Sequence, residues 1–228
     1  MQIHCCPSEV KRASWSGISN AFTLLELLVI AGTIVFVACL LPVSLARGRQ
    51  RARTNACVDN LKHIGVAFRT WAIDQGDLPS TGVSVNHGGT LELANTGEAF
   101  VHFRAMSNEL SIPKILVCPA DPAKTAAANF NCGFDEANVS YFISPDARDV
   151  FPQMFYAGDR NLAVEGQSLG PGMFVWTSNN AALSWSKVIH KNCGNVGLAD
   201  GSVHFLDSAK LALAAAGQSC DTNRLAIP

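Results

Sequence analysis

The sequence predicts an α+β fold in which one long N-terminal helix packs on a C-terminal antiparallel sheet. Two observations predict it: an uncharged run that continues into an amphipathic pattern over residues 22–75, and short β-like segments after residue 139. The 228 residues are 48% hydrophobic and 15% charged, which supplies enough apolar material for one domain besides the helix. A net charge of −1 argues against a nucleic acid partner held by bulk electrostatics.

The first element is an uncharged stretch of 20 residues from Leu27 to Ala46. As an α-helix it would cover about 30 Å, the thickness of a bilayer's hydrocarbon core. We therefore expect residues 22–46 to form a transmembrane helix. Three kinds of chain begin in this way: a secreted protein cleaved after the small-x-small site at residues 44–46, a lipoprotein acylated at Cys39, and a protein whose polar leader ends just before the run.

The third alternative explains the most residues. A leader of residues 1–21 ends at Ala21, and the segment FTLLE, residues 22–26, opens the apolar run. This pattern resembles the cleavage and methylation motif of type IV prepilins and type II secretion pseudopilins, which usually has glycine in place of Ala21. The resemblance implies that a prepilin peptidase cuts between Ala21 and Phe22 and methylates the amine of Phe22.

Glu26 is the unexpected residue at the entrance to this run. A carboxylate inside a membrane helix costs about 2.5–3.5 kcal/mol, so such groups usually have a partner. The resemblance implies that Glu26 pairs with the Phe22 amine of a neighbouring subunit during filament assembly.

The orientation of the helix rests on the same resemblance. Four arginines at positions 47, 49, 51 and 53 outnumber Lys11 and Arg12, so charge bias alone would place the C-terminal side in the cytoplasm. Prepilin-like chains carry a similar basic run just beyond the membrane. We therefore expect a single-pass protein of the bacterial inner membrane with a periplasmic or extracellular C-terminal domain.

Residues 47–75 are predicted to continue the helix in amphipathic form. Apolar residues at spacings of three and four share one face: Leu61, Ile64, Phe68, Trp71 and Ala72. Gly76 and Pro79 provide the stop. We expect this face to pack on the sheet of a globular domain, residues 76–228, which is the pilin-like architecture.

Within that domain the pattern predicts a loop over residues 76–96 and a second helix from Ala99 to Leu110. Six short runs predict an antiparallel meander: VSYFIS, NLAVEG, GMFVW, WSKVIH, GNVGLA and SVHFLD. The segment SAKLALAAAG predicts a final helix with Ser208 as its N-cap and Gly217 as its stop.

The region 190–201 contains His190, nine intervening residues, and then Asp200 and Gly201. It resembles the H-x9-DG domain found at the end of many bacterial prepilin-type proteins. We interpret the motif as structural: Asp200-Gly201 forms a type I′ hairpin turn, and His190 lies on a strand and hydrogen-bonds near that turn.

Two metal sites and one catalytic site are weighed against this structural interpretation. Calcium has a precedent in the major pseudopilin, and His190, Asp200 and His204 lie on neighbouring predicted strands, but calcium needs six to eight oxygen ligands, so no site is assigned. A zinc site could use Cys118, Cys132, His190 and Cys193 as ligands, but these residues include no C-x2-C pair. A nucleophilic Cys193 with His190 as base is disfavoured, because residues three apart on a strand face opposite sides. We expect neither a cofactor nor enzymatic activity.

Five cysteines follow the predicted membrane helix: Cys57, Cys118, Cys132, Cys193 and Cys220. An oxidising envelope compartment favours one or two disulfides among them. Cys118 with Cys132 is the predicted pair.

The resemblance implies a structural pseudopilin subunit, assembled into a short envelope filament for type II protein secretion. Its partners would be prepilin peptidase, other pseudopilins, the secretion or pilus assembly platform and the inner membrane. The alternative is a minor type IV pilin that acts as a binding module for a surface, a secreted substrate or DNA. The sequence does not separate these two functions.

Overall fold

A computed structural model gives the structure of the chain and describes residues 22–76, 79–177, 182–218 and 222–228, without the side chains of residues 40–44 and 222. The chain divides between residues 46 and 47 into two compact units, which are described separately.

Helix α1 runs from Leu24 to Asp74, so the predicted long helix is confirmed. Its start is a capping box: the Glu26 backbone N–H donates to Thr23 Oγ1 at 3.2 Å, and the Thr23 N–H donates to Glu26 Oε2 at 3.1 Å. At its end, Gly76 adopts a left-handed φ of 72° and donates its N–H to the Ile73 carbonyl. The glycine stop was therefore predicted correctly.

The described side chains of the first unit, residues 22–39 and 45–46, are all exposed. Phe22 is 71% exposed and Leu24 is 81% exposed. Across the described residues, we find no helix with the combined length and apolar character that crossing a membrane requires. The transmembrane prediction for 22–46 is therefore not confirmed and stays a prediction, and the predicted leader with Ala21 lies outside the described residues.

The second unit begins its globular part with short helices. The segment predicted as a loop forms three 3-10 turns: Ser80–Gly82, Val85–His87 and Leu91–Leu93. The helix predicted from Ala99 to Leu110 is two helices, α2 (Ala99–Ala105) and α3 (Ser107–Leu110), because Met106 leaves the helical conformation at φ −94° and ψ 23°. Two more 3-10 turns follow: Pro113–Leu116 and Glu136–Asn138.

Nine strands are found among the described residues: β1 (Tyr141–Ile143), β2 (Phe155–Asp159), β3 (Leu162–Val164), β4 (Gln167–Ser168), β5 (Gly172–Thr177), β6 (Leu183–Trp185), β7 (Cys193–Leu198), β8 (Val203–Asp207) and β9 (Thr222–Ile227). All pairings are antiparallel, as predicted. The predicted meander is wrong, because the larger sheet has the order β5-β9-β1-β2-β7-β8 and the smaller one β4-β3-β6. The last strand thus inserts between β5 and β1.

Helix α4 (Ser208–Ala216) follows β8, as predicted. Its N-cap is Asp207 and not Ser208: Asp207 Oδ1 accepts the N–H of Lys210 at 2.8 Å. Ser208 Oγ instead accepts the N–H of Trp185 at 3.0 Å, which ties the helix to β6. Gly217 closes the helix as predicted, donating to the Leu213 carbonyl.

The larger sheet is covered on both faces by apolar side chains. Along β1, Tyr141 and Ile143 belong to the core cluster that contains the second half of α1, whereas Phe142 belongs to the cluster that contains α4. The predicted apolar face of α1 packs in the first cluster, where the rings of Phe68 and Tyr156 stack at 5.9 Å. The predicted packing of the helix on the sheet is confirmed.

Candidate functional site

Four segments of the second unit bring sulfur, imidazole and carboxylate groups together. Cys57 lies on the buried face of α1, Cys118 follows the 3-10 turn Pro113–Leu116, Asp159 ends β2, and His190 lies in the turn before β7. One donor atom from each of the four lies within 4.8 Å of the others. We call this set the Cys-Asp-His cluster.

The two cysteines of the cluster form a disulfide. Cys57 and Cys118 are fully buried, their Cα atoms are 5.3 Å apart, and they are separated by 61 residues in sequence. The predicted Cys118–Cys132 pair is wrong, and Cys132 is a free, exposed thiol. Its backbone is held in a local turn by Asn129 Oδ1, which accepts the Cys132 N–H at 2.9 Å, so closeness in sequence does not bring it to Cys118.

His190 is positioned by an uncommon backbone. His190, Lys191 and Asn192 have φ values of 52°, 54° and 63°, three successive non-glycine residues in the left-handed region. The prediction of a strand through His190 is therefore wrong, and the run WSKVIH shares only Trp185 with β6. A backbone conformation of this kind persists only where surrounding contacts impose it, and it is commonest at functional positions.

The imidazole of His190 faces the cluster with its Nε2 atom. Nε2 lies 3.3 Å from Cys118 Sγ and 3.6 Å from Asp159 Oδ2, and the side chain is 2% exposed. Asn195 Nδ2 approaches Nε2 at 3.4 Å, and Nδ1 lies 3.5 Å from Thr54 Oγ1. Nε2 thus faces two acceptors, the disulfide sulfur and the Asp159 carboxylate, and one donor, Asn195 Nδ2, and a neutral imidazole can serve either kind of neighbour. Burial lowers the pKa of His190, which favours this neutral form.

Asp159 is fully buried beside this imidazole. Its Oδ2 accepts two hydrogen bonds from Asn195, from the backbone N–H at 2.7 Å and from Nδ2 at 2.8 Å. Burial raises the pKa of Asp159 to about 7, although the Asn195 hydrogen bonds oppose this rise. Its Oδ1 is also buried and has no hydrogen-bond partner among the described residues.

The cluster shares only Cys118 and His190 with the zinc set that the sequence disfavours. Cys132 is exposed elsewhere, and Cys193 is a free thiol outside the set of converging donor atoms. Sequence reasoning missed Cys57 and Asp159 as neighbours of His190. The spacing of these residues gave no signal, because they come from a helix, a strand end and a turn that only the folded chain brings together.

The structure separates the two ends of the H-x9-DG motif. Strand β7 lies between His190 and Asp200, and its six residues span about 20 Å. Asp200 is exposed at the tip of the β7–β8 hairpin. His190 and Asp200 are therefore not brought together, either for the nucleophilic site that the sequence disfavours or for a metal site with His204.

Asp200 and Gly201 do form the predicted hairpin, but not with the predicted turn type. Gly201 donates to the Leu198 carbonyl at 2.7 Å, and only Gly201 of the pair has a positive φ, at 85°. This is a type I turn followed by a left-handed glycine, not a type I′ turn. As predicted, the Asp200 carboxylate bonds nearby backbone, accepting the Ser202 N–H at 2.8 Å. Arg69 of α1 donates to the Ala199 carbonyl at 2.8 Å and so holds the hairpin tip to the helix.

The predicted processing and assembly residues lie between positions 21 and 26. Ala21 lies outside the described residues, Phe22 is exposed, and Glu26 is an exposed member of the capping box. Comparisons with protein families, with curated proteins and with solved structures find no match to this chain.

Proposed function

We propose that this protein is a pseudopilin subunit that is cleaved before Phe22 and assembled through residues 22–46 into a short envelope filament for type II protein secretion. The single observation that carries this proposal is the uncovered apolar surface of residues 22–39 on a helix whose continuation packs in a folded core. Prepilin peptidase, other pseudopilins and the assembly platform are its partners, and the bacterial inner membrane is its location before assembly.

The apolar surface supports assembly because exposure of apolar side chains to water is unfavourable. Eleven large apolar side chains lie exposed between Phe22 and Val37. Burying one such side chain fully is worth about 1.5–3 kcal/mol. A bilayer first and the helices of neighbouring subunits afterwards would provide that burial.

Glu26 has two roles under this proposal. Within its own chain Glu26 accepts a hydrogen bond from the Thr23 N–H and so caps α1. This role requires a hydrogen-bond acceptor but does not require a charge. Between chains its negative charge would pair with the amine of Phe22. A substitution that keeps the acceptor and removes the charge separates these roles.

Glu26→Gln is the variant that makes this separation. We expect the variant to be cleaved normally and its α1 to begin at the same residue, while its amount in the sheared filament fraction falls at least tenfold. Thr23→Ala is the matched control, because it removes the side-chain cap and keeps the charge, and it should still assemble. Wild-type assembly of Glu26→Gln would refute the charge pairing.

A further inference from the structure

We propose that the Cys-Asp-His cluster is a zinc site when the Cys57–Cys118 disulfide is reduced. Cys57 and Cys118 would bind as thiolates, His190 through Nε2 and Asp159 through its carboxylate. This proposal rests on the second unit alone and is independent of filament assembly.

The distances between the donor atoms fit a tetrahedral zinc ion. With zinc–sulfur bonds of about 2.3 Å and zinc–nitrogen or zinc–oxygen bonds of about 2.0–2.2 Å, ligand atoms around zinc lie roughly 3.3–3.8 Å apart. His190 Nε2 already lies 3.3 Å from Cys118 Sγ, and the Asp159 carboxylate is close by, with its Oδ2 atom 3.6 Å from Nε2. Reduction frees the two sulfur atoms to separate and take the remaining corners.

A buried oxygen without a partner points independently to a missing ligand. Asp159 is fully buried, yet its Oδ1 accepts no hydrogen bond in the described part of the chain. A buried polar atom left in this state is costly, and native proteins satisfy almost all of them. A zinc ion bound through Oδ1 would supply the missing interaction, while Oδ2 keeps its two hydrogen bonds from Asn195.

The surroundings of the cluster hold two ligands in orientation. Asn195 fixes Asp159 Oδ2 with two hydrogen bonds, and Thr54 Oγ1 lies near His190 Nδ1, on the ring side opposite the cluster. Outer contacts of this type orient histidine and carboxylate ligands at metal sites. The Phe205 ring meets the imidazole edge to face, with the ring centroids 6.0 Å apart.

The donor set selects zinc over the calcium considered from sequence. Thiolate, imidazole and carboxylate are all ligand types of zinc, and four such ligands match its tetrahedral coordination. Calcium requires six to eight oxygen atoms, whereas the cluster offers one carboxylate.

The chemistry balances with a dithiol as the reductant. The dithiol transfers two electrons and two protons to the Cys57–Cys118 bond, which becomes two thiols while the dithiol becomes a disulfide. Zinc then displaces the two thiol protons. α1 and the loop at Cys118 are consequently joined either by a sulfur–sulfur bond or through zinc, and the two states exclude each other.

Metal analysis of the full chain in mild detergent tests the proposal. The chain is reduced with dithiothreitol, freed of reductant without oxygen, incubated with Zn²⁺ alone and dialysed. We expect one zinc per reduced chain and none per oxidised chain. A reduced chain that retains no zinc, or an oxidised chain that retains as much, overturns the proposal.

Variants identify the ligands. Asp159→Asn and His190→Gln should each weaken zinc affinity at least tenfold, while Cys132→Ser and Cys193→Ser should retain it, because these free thiols lie outside the cluster. Zinc should raise the melting temperature of the reduced wild-type chain but not that of reduced Asp159→Asn. If Asp159→Asn keeps full affinity, or if reduction unfolds the chain and zinc does not restore it, the proposal fails.

Discussion

The two halves of helix α1 are both rich in apolar side chains but differ in what covers them. From Phe22 to Cys39 every side chain is exposed, and apolar residues surround the helix. Between Cys57 and Ala72 seven apolar residues are buried, although Val66 is 63% exposed. A single folded domain can bury an apolar face on one side of a helix. A helix that is apolar on all sides requires apolar groups around its whole circumference.

Polar attachments follow the same division. In the second half, the Cys57 disulfide, two hydrogen bonds from Asn60 Nδ2 and one from Arg69 tie the helix to the domain. In the described part of the first half, the side-chain hydrogen bonds are local, as at Thr33, whose hydroxyl donates to the Ile30 carbonyl. The second half of α1 is thus attached to the domain at several points. The described side-chain hydrogen bonds of the first half stay within the helix and its cap.

Cutting the covalent attachment should have the largest effect on the second half. A disulfide across 61 residues stabilises the folded state by about 4 kcal/mol through lost freedom of the unfolded chain. We expect Cys57→Ser to lower the free energy of unfolding by about that amount, measured by urea denaturation with tryptophan fluorescence. Cys132→Ser, at an exposed free thiol, should leave it within about 0.5 kcal/mol. A cost below about 1 kcal/mol for Cys57→Ser would contradict this.

Two leucines of the same helix provide a matched pair. Leu61 is 0% exposed and Leu28 is 66% exposed. Leu61→Ala should cost about 3 kcal/mol because it leaves a cavity in the core, and Leu28→Ala should cost under about 0.5 kcal/mol in the same denaturation experiment. Equal losses in the free energy of unfolding for the two variants would contradict the difference in burial between the two halves of α1.

Acid should weaken the globular part of the second unit through His102. Burial lowers the pKa of this fully buried histidine, which lies on α2, to about 4, with a smaller contribution from Arg224. Between pH 6.5 and 4 the unfolded chain therefore binds more protons, so stability falls as the pH drops through this window, by up to about 3 kcal/mol. His102→Gln should flatten the pH dependence of the free energy of unfolding, and an unchanged slope would contradict the assignment.

The smallest effect is expected at the start of the first half. Thr23 is the N-cap of α1, and replacing such a residue with alanine costs about 1 kcal/mol. Thr23→Ala should therefore speed amide hydrogen exchange in the first turn of α1, while exchange near Leu61 stays unchanged. Slower or equal exchange in the first turn would show that the capping box contributes nothing.

The sequence predicted the elements whose signals are local. Spacings of three and four identified the buried face of α1, and the last helix and most of the strands were found from their short patterns. Strand β9 was missed because its partners β5 and β1 are distant in sequence, and this pairing determines the order of the sheet. The pattern T-x-x-E from Thr23 to Glu26 also predicts a capping box, which the sequence analysis missed because Glu26 was assigned only to the prepilin motif.

The site was less predictable than the fold. His190 was singled out from its motif, but its true neighbours Cys57, Cys118 and Asp159 come from three other segments. The left-handed turn that aims His190 at them contains no glycine, so turn propensities did not reveal it. Tertiary packing brings these four residues together, and their separations along the sequence do not indicate that they are neighbours.

Mass spectrometry of the mature N-terminal peptide is the most direct test of the proposed role of residues 22–46. Filament assembly predicts a chain that begins at Phe22 with a methylated amine. A chain that begins at a lipidated Cys39, begins at Arg47, or keeps residues 1–21 would contradict it.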